Sequence, residues 1–283
     1  MTEPKPASGS PRIATIVIEP RHGWRELGLR ELWEHRELLY FFVWRDLKVR
    51  YRQTFFGAAW AVLQPLLLMV VFSVSVGRIP GIGPQGIPYP VFVFAGLVPW
   101  TLFAQGLAGA SNSLVGGENI ITKVYFPRLL LPASAIASFL LDFMIGCGAL
   151  ALLMFLSDVS VAPTIVWAPL VALLAAATTL GIGVFLAAVN VRYRDVRYVV
   201  PFLVQFWLFA SPVVYTSSLV PDEWRLAYAL NPMVGVVEAF RWSVLGGVLP
   251  VVEIVVSVLA AGAILAGSLL YFRRVERTFA DVI

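Results

Sequence analysis

The stretch WRDLKVRYRQTFFGAAWAVLQP, residues 44–65, decides how the rest of this chain is laid out. Its first half holds four basic residues, Arg45, Lys48, Arg50 and Arg52. From Phe55 to Val76 the sequence then carries no charge. A basic run that gives way to an apolar run is typical of a chain that leaves the cytoplasmic surface and enters a bilayer.

The composition of the whole chain supports that interpretation. Of 283 residues, 59% are hydrophobic and 13% are charged, whereas a soluble domain carries roughly 25% charged residues. The chain is therefore predicted to be an integral membrane protein that binds no nucleic acid. Its one cysteine, Cys147, lies in an apolar run and indicates neither a disulfide nor a metal or redox site.

Six segments are long and apolar enough to cross a bilayer, which takes roughly 20 residues of helix. They are residues 57–77, 91–115, 132–156, 165–189, 199–217 and 251–272. We therefore expect an all-α membrane protein with a six-span transmembrane domain over residues 55–283. Residues 1–28 are expected to form a cytoplasmic tail, with a short strand or hook at 13–18.

The distribution of Lys and Arg fixes the orientation. With the N-terminus inside, eighteen of the 21 basic residues fall on the cytoplasmic side and three fall outside. Such a bias is the expected signature of topology in a multi-pass protein. Both termini are therefore predicted to be cytoplasmic.

Residues 29–54 are too charged to span but mix aromatic and charged side chains. This pattern predicts an amphipathic helix in the membrane interface, with aromatic rings at the acyl boundary and basic groups at the phosphates. The alternative is an ordinary amphipathic helix packed on protein. The two interpretations are compatible.

The second cytoplasmic loop, residues 111–132, predicts a short exposed helix from Glu118 to Tyr125, ended by Phe126-Pro127. Such a helix needs a partner surface. The alternative is a tight turn folded against its own spans.

The outer loop, residues 219–247, predicts two short amphipathic helices, 222–230 and 233–245, separated by Asn231 and Pro232. Glu238 and Arg241 lie three residues apart and are expected to pair. Helices too short to span occur at membrane depth only where protein or a cavity surrounds them. We therefore expect a re-entrant hairpin, and the alternative is two helices lying flat on the outer leaflet.

Asp142 lies within the third span, where an ionisable side chain is costly and usually faces the bundle interior. A proton relay would need further acids or histidines in other spans, and the sequence has none there apart from Glu253 at the outer end of the sixth. A structural role, with Asp142 hydrogen-bonded to a neighbouring helix, is favoured.

Several segments together resemble the permease subunits of type-2 ABC transporters in the polysaccharide and polyol phosphate exporter family. The resemblance runs from about residue 25 to the C-terminus. It is carried by the opening stretch and by NIITKVYFPRLLLP (119–132), RYRDVRYVVPFLVQ (192–205), SPVVY (211–215) and VPDEWRLAYALNPMVGVVEAFRWSVLGG (220–247). The chain has no G-x-x-x-x-G-K-[ST] phosphate loop, so any ATP-driven transport needs a partner.

The resemblance implies two copies of this chain with two ATP-binding cassette subunits in a bacterial cytoplasmic membrane. The chain itself would be no enzyme and hold no cofactor, because the partner binds ATP and Mg. A coupling helix near 118–128 would dock on the ATPase. The coupling residues would be Glu118, Asn119, Ile120, Lys123, Tyr125 and Arg128.

The implied substrate is a lipid-linked polysaccharide such as O-antigen, teichoic acid or cell-wall galactan. Arg45, Lys48, Arg50 and Arg52 would receive its anionic headgroup. Aromatic faces allow sugar rings to slide, so the pore-lining candidates are Trp60, Gln64, Phe202, Phe206, Phe209 and Tyr215. The outer gate would be formed by Asn231, Pro232, Glu238 and Arg241.

Two other functions stay open on the sequence. The first is the same type of permease exporting a small drug or lipid. The second is an ATP-independent carrier or a structural membrane protein.

Overall fold

The structure is a computed structural model that describes residues 34–52, 57–79, 82–84, 86–276 and 279. Every regular element in these ranges is helical, which confirms the all-α prediction. The predicted cytoplasmic tail and the strand at 13–18 lie outside the described residues.

Ten α-helices and three short 3₁₀ turns make up the described part of the chain. The helices are α1 (Arg36–Tyr51), α2 (Trp60–Ser75), α3 (Tyr89–Gly116), α4 (Glu118–Ile121), α5 (Leu130–Leu156), α6 (Ala168–Arg192), α7 (Val196–Phe209), α8 (Asp222–Ala229), α9 (Pro232–Leu245) and α10 (Val251–Glu276). The 3₁₀ turns are Gly57–Ala59, Pro163–Trp167 and Ser217–Leu219.

Four of these helices are long and apolar enough to cross a membrane: α3, α5, α6 with the turn before it, and α10. They correspond to the predicted second, third, fourth and sixth spans. The predicted first and fifth spans are apolar but shorter, because α2 has 16 residues and α7 has 14.

The predicted fifth span, 199–217, ends early at Phe209. Pro212 has no N–H to continue a helix. The carbonyl groups of Pro212, Val213 and Tyr215 instead accept hydrogen bonds from the guanidinium of Arg241 in α9. The helix therefore ends just before Pro212, and Arg241 supplies the donors for the carbonyl groups of the segment beyond it.

Helix α3 forms the centre of the bundle and packs against α2, α5, α6, α7 and α9. Phe94, Phe103 and Leu107 on α3 are fully buried. Close packing on α6 depends on Gly106, because a Cβ there would lie 2.9 Å from a side-chain carbon of Thr179. Helix α10 packs mainly on α6 and α9.

A second apolar cluster lies near the loop that joins α3 and α5. It brings together Phe42 of α1, Phe126 of the loop and Phe272 of α10 with residues of α5 and α6. Helix α1 itself packs on α5. This cluster fixes the position of the loop that the sequence singled out for coupling.

Candidate functional site

The coupling loop, residues 118–128, presents a polar and aromatic surface to its surroundings. Its regular helix α4 is shorter than the predicted 118–125, but the bond from the N–H of Val124 to the carbonyl of Ile120 extends it by part of a turn. Lys123 is exposed and Tyr125 is fully exposed. A shallow cavity of about 230 Å³ is lined by Lys123, Tyr125, Arg128 and their neighbours.

The same loop is anchored on its other face. Ile121 and Phe126 are buried, and the Phe126 ring meets the Phe42 ring of α1 edge-on at 5.4 Å between centroids. Arg128 bonds Glu276 at the end of α10. Of the six predicted coupling residues, Glu118, Asn119, Lys123 and Tyr125 are exposed, whereas Ile120 and Arg128 are partly buried.

Helix α1 and Arg52, the residue that follows it, supply the four basic side chains that the sequence assigned to a lipid headgroup, and these side chains differ in their surroundings. Arg45 donates two hydrogen bonds to the adjacent Asp46, at 3.0 and 2.8 Å. The Lys48 ammonium lies 5.3 Å from the centre of the Trp44 ring and is exposed, as is Arg52. Among the described residues, neither Lys48 nor Arg52 has a carboxylate within ion-pair distance.

Arg50, the fourth of these basic residues, contacts side chains of α5. Its guanidinium donates to Asp142 at 2.8 Å and to the hydroxyl of Ser138 at 2.8 Å, and it stacks 3.7 Å above the Phe139 ring. The hydroxyl of Tyr51 donates to the other oxygen of Asp142. This confirms that Asp142 is bonded to a neighbouring helix.

Tyr51 remains a donor across the physiological range. Burial, reinforced by the hydrogen bond to Asp142, raises the pKa of Tyr51 to about 12. Asp142 thus receives bonds from both Arg50 and Tyr51, which leaves its negative charge compensated. The cluster fastens the C-terminal end of α1 to the middle of α5.

Asp142→Ala is expected to destabilise the protein by about 2 kcal/mol, because it leaves Arg50 without its carboxylate in a partly buried place. The double variant Arg50→Met with Asp142→Leu should recover most of that loss. Thermal unfolding of the purified protein in detergent measures both effects. An unchanged unfolding temperature for Asp142→Ala would show that the ion pair contributes nothing.

The helical hairpin of α8 and α9, residues 222–245, is tied to α7 through Asn231. The Asn231 amide oxygen accepts from the backbone N–H of Met233 at 3.1 Å and from the indole of Trp207 at 2.9 Å. Its NH₂ group donates to the carbonyl of Ala210 and the hydroxyl of Ser211, at 2.9 and 3.0 Å. Asn231 therefore caps α9 and holds it against α7, while Pro232 occupies the first turn of α9.

Arg241 is the buried centre of the hairpin. Its guanidinium donates to the carbonyls of Phe92, Pro212, Val213 and Tyr215 and lies 3.7 Å above the Phe92 ring. Glu238 lies 3.7 Å away, which confirms the predicted pair. Burial lowers the pKa of Arg241 to about 10, and Glu238 opposes that shift. Arg241 therefore stays charged at neutral pH and joins α3, α7 and α9.

The pore-lining candidates divide into two groups. Trp60, Phe202, Phe206 and Phe209 are each about half exposed or more, and Gln64 is exposed beside them on α2. Tyr215 is not part of this surface, because its hydroxyl bonds the carbonyl of Phe209 and faces the hydroxyl of Tyr228 at 2.9 Å. It belongs to the contact between α7 and the hairpin.

Helices α2 and α7 approach each other at an aromatic ring contact. Both pack on α3, and the rings of Phe72 and Phe209 meet at 6.5 Å between centroids. A groove of about 290 Å³ runs along α2 past Trp60, Gln64 and Leu67. Among the described residues, no three His, Cys, Asp or Glu side chains lie close enough to hold a metal ion.

The contacts not foreseen from the sequence include those of Arg50 with Asp142, of Arg128 with Glu276, and of the Ser257 hydroxyl with the carbonyl of Ala229. The first had a signal, because a carboxylate inside a span requires a cationic or hydrogen-bonding partner. The other two join ordinary-looking residues far apart in the chain. No local sequence pattern predicts these two contacts.

Comparison with known proteins decides the family. The sequence profile described as "ABC-2 type transporter" matches residues 37–245, from the second residue of α1 to the last residue of α9. The chain belongs to the ABC-2 type transporter family. As a member of this family with several apolar helices, it is a multi-pass protein of the cytoplasmic membrane.

Individual relatives match this ABC-2 type transporter over most of its length. It is 34% identical over 254 residues to an O-antigen export system permease protein, RfbA, of Myxococcus xanthus, covering 88% of this chain and 96% of the relative. The RfbA of Klebsiella pneumoniae is 26% identical, over 84% of this chain and 92% of its own length. A polysialic acid transport protein, KpsM, of Escherichia coli is 25% identical, over 72% and 79%.

Proposed function

We propose that this chain is the membrane-spanning subunit of an ABC exporter that moves a lipid-linked polysaccharide out across the cytoplasmic membrane. The observation that carries the proposal is the 34% identity to an O-antigen export permease over 96% of that protein's length. ATP is hydrolysed in a separate subunit. The chain contributes no covalent chemistry, and two copies assemble with two ATP-binding subunits.

The coupling loop supports an ATPase partner. Lys123 and Tyr125 are exposed beside a shallow cavity, while Ile121 and Phe126 fix the loop from behind. An exposed aromatic ring on a rigid base is the kind of anchor that fills a cleft in a partner protein. The loop also joins α3 to α5, so a displacement of the partner would act on both helices.

Six spans with both termini inside remain the preferred topology. The four long helices would cross fully, and α2 and α7 would cross as shorter segments. The burial of α9 supports a re-entrant hairpin rather than helices flat on the leaflet, because eleven of its fourteen residues are buried within the chain. Non-spanning helices at membrane depth require such cover.

The exposed aromatic face of α2 and α7 is the proposed wall of the transport pathway. Phe202, Phe206 and Phe209 are exposed along one side of α7, and Trp60 and Gln64 are exposed on α2. Two copies of the chain, with these faces opposed, would enclose a channel of aromatic surface. Sugar rings stack on such faces without directional bonds, which suits a moving polymer.

The ion pairs of α1 indicate which of the four basic residues would bind the headgroup. Arg45 and Arg50 already have carboxylate partners in Asp46 and Asp142. Lys48 and Arg52 are exposed on the same helix, which makes them the cations that would meet a phosphate or pyrophosphate headgroup. Arg50 would chiefly hold α1 in place.

Replacing Lys48 and Arg52 together with Gln is expected to raise the apparent KM for the lipid-linked glycan. Each juxtamembrane cation contributes about 1 kcal/mol to holding an anionic headgroup, so the pair predicts a rise of roughly thirtyfold. Initial export rates in proteoliposomes at graded glycolipid concentrations measure it. The charge-preserving exchange Lys48→Arg with Arg52→Lys is the control, and an unchanged KM in the Gln variant would place the headgroup elsewhere.

Deletion of the gene, followed by mass analysis of membrane glycolipids, tests the proposed function. We expect an undecaprenyl-type lipid carrying an unexported glycan to accumulate inside the cell and to clear when the gene is restored. A normal glycolipid profile combined with altered drug sensitivity would favour the alternative, an exporter of a small drug or lipid. The near-full-length likeness to O-antigen permeases favours the polymer.

A further inference from the structure

Helix α10 is fastened at its outer end to the point where the two hairpin helices meet. The hydroxyl of the fully buried Ser257 donates to the carbonyl of Ala229, the last residue of α8, at 2.9 Å. It also accepts from the backbone N–H of Gly235 in α9 at 3.0 Å. A Cβ on Gly235 would lie 2.4 Å from the Cβ of Ser257, so α9 and α10 pack closely at this glycine.

The other end of α10 is fastened to the coupling loop. The carboxylate of Glu276 accepts from the backbone N–H of Arg128 at 3.3 Å, and the backbone carbonyl of Glu276 accepts from the Arg128 guanidinium. The second carboxylate oxygen pairs with Arg273 at 3.2 Å. Phe279, fully buried, stacks edge-on against Phe272 and lies 5.9 Å from the Arg128 guanidinium.

Between these two ends α10 is an uninterrupted helix. Ser257 and Glu276 are nineteen residues apart, or roughly 28 Å along the axis, which is close to the hydrocarbon thickness of a bilayer. Helix α10 contains no proline, whereas α2, α3 and α7 each have one in their interior. Proline is the usual cause of a kink, so α10 is better suited than α3 to carry an axial displacement.

We propose that α10 transmits movement of the coupling loop to the outer hairpin, with Glu276 and Ser257 as the positioning residues at its two ends. This rests on the proposed function, in which an ATPase displaces the loop and the hairpin closes the outer side. When the loop moves, Arg128 pulls on Glu276. Ser257 then shifts the junction between α8 and α9, and the hairpin opens.

Spin-label distances in the intact complex with its ATPase test this route. Cys147→Ala removes the native thiol, and Glu223→Cys with Leu156→Cys, both at exposed positions, place labels on α8 and on the last residue of α5. In this parent protein we expect the distance to change between the nucleotide-free and the ATP–vanadate-trapped states. Ser257→Ala should remove more than half of that change. Glu276→Ala removes the carboxylate bonds to the Arg128 N–H and to Arg273 but keeps the guanidinium bond to its backbone carbonyl, so it should remove a smaller but measurable part.

Two further measurements separate transmission from simple structural damage. Glu276→Ala should copurify with the ATPase and hydrolyse ATP within about twofold of the parent, because the exposed side chains of Lys123 and Tyr125 stay in place, yet export should fall with the lost distance change. Glu276→Gln, which keeps an acceptor for the Arg128 N–H, should be intermediate. Glu253→Ala on the same helix and Ser75→Ala, whose hydroxyl bonds a carbonyl of its own helix, are the matched controls.

The outcomes distinguish this proposal from the one on which it rests. A full nucleotide-dependent change in both Glu276→Ala and Ser257→Ala would overturn the role of α10 and leave the exporter intact. A parent protein that copurifies with the ATPase but shows no change would also overturn it, because the hairpin would not move. Failure of the parent to bind any ATPase would overturn the proposed function itself.

Discussion

Arg241→Met is expected to lower the free energy of unfolding by about 3–5 kcal/mol, which is the range for removing one member of a buried charged network. The substitution leaves the carbonyls of Pro212, Val213 and Tyr215 without their donor and leaves Glu238 without its cation. Arg241→Lys should also destabilise, because an ammonium cannot reproduce a planar fork that reaches four carbonyls. Thermal and denaturant unfolding in detergent measure the loss.

Arg225→Met supplies the matched control on the same hairpin. Its partner Asp222 is 86% exposed and the Arg225 side chain is 42% exposed, so this ion pair should contribute less than about 1 kcal/mol. Equal unfolding temperatures for Arg241→Met and the unmodified protein would contradict the role of Arg241. Glu238→Gln should fall between the two arginine variants, since it removes the charge and keeps the shape.

Replacing Tyr125 and Lys123 with Ala is expected to reduce ATP-driven export at least tenfold without lowering protein stability. Both side chains are exposed, so little of the chain's own packing is lost. A buried aromatic anchor is worth about 2 kcal/mol or more at an interface, which is roughly thirtyfold in affinity for the partner. Export rate, ATP hydrolysis and unfolding temperature measured on the same preparation check this.

Phe155→Ala controls for the loss of an exposed aromatic ring. Phe155 is 79% exposed near the opposite end of α5 from the coupling loop and should change neither export nor hydrolysis. If export in the Tyr125 and Lys123 variant matches the unmodified protein, residues 118–128 do not dock the ATPase. If export and the unfolding temperature fall together, the loop is structural.

Local signals predicted the hairpin helices almost residue for residue. The expected segments 222–230 and 233–245 became α8 (Asp222–Ala229) and α9 (Pro232–Leu245). Asn231 is a strong N-cap and Pro232 has a backbone angle that suits the first turn of a helix. Both effects act within a few residues of the boundary, so the sequence alone is sufficient to place it.

Distant contacts account for what the sequence missed. Helix α7 ends at Phe209, just before Pro212, but nothing between 199 and 217 indicates that Arg241 is the donor to the carbonyl groups beyond it. Asp142 could be recognised as needing a partner, but its 92-residue separation from Arg50 left the partner unnamed. The sequence therefore offered no reason to separate the four basic residues near the bilayer surface. In the structure, Arg45 and Arg50 have carboxylate partners, which distinguishes them from Lys48 and Arg52.

The coupling loop has one face that the local sequence predicts and one face that distant contacts determine. Its exposed face, with Lys123 and Tyr125, follows from a polar and aromatic run between two apolar helices. Its anchored face depends on Phe42 and Glu276, which lie 84 and 148 residues from their partners in the loop. Only the folded chain brings α1, the loop and α10 into one cluster.

Copurification from native membranes tests the central claim most directly. The tagged chain, extracted in mild detergent, should carry with it an ATP-binding cassette subunit at equal stoichiometry, in a particle with two copies of each. Its ATP hydrolysis should rise when the lipid-linked glycan is added. Recovery of the chain without any ATP-binding subunit, under conditions in which export from the same membranes is active, would contradict the account.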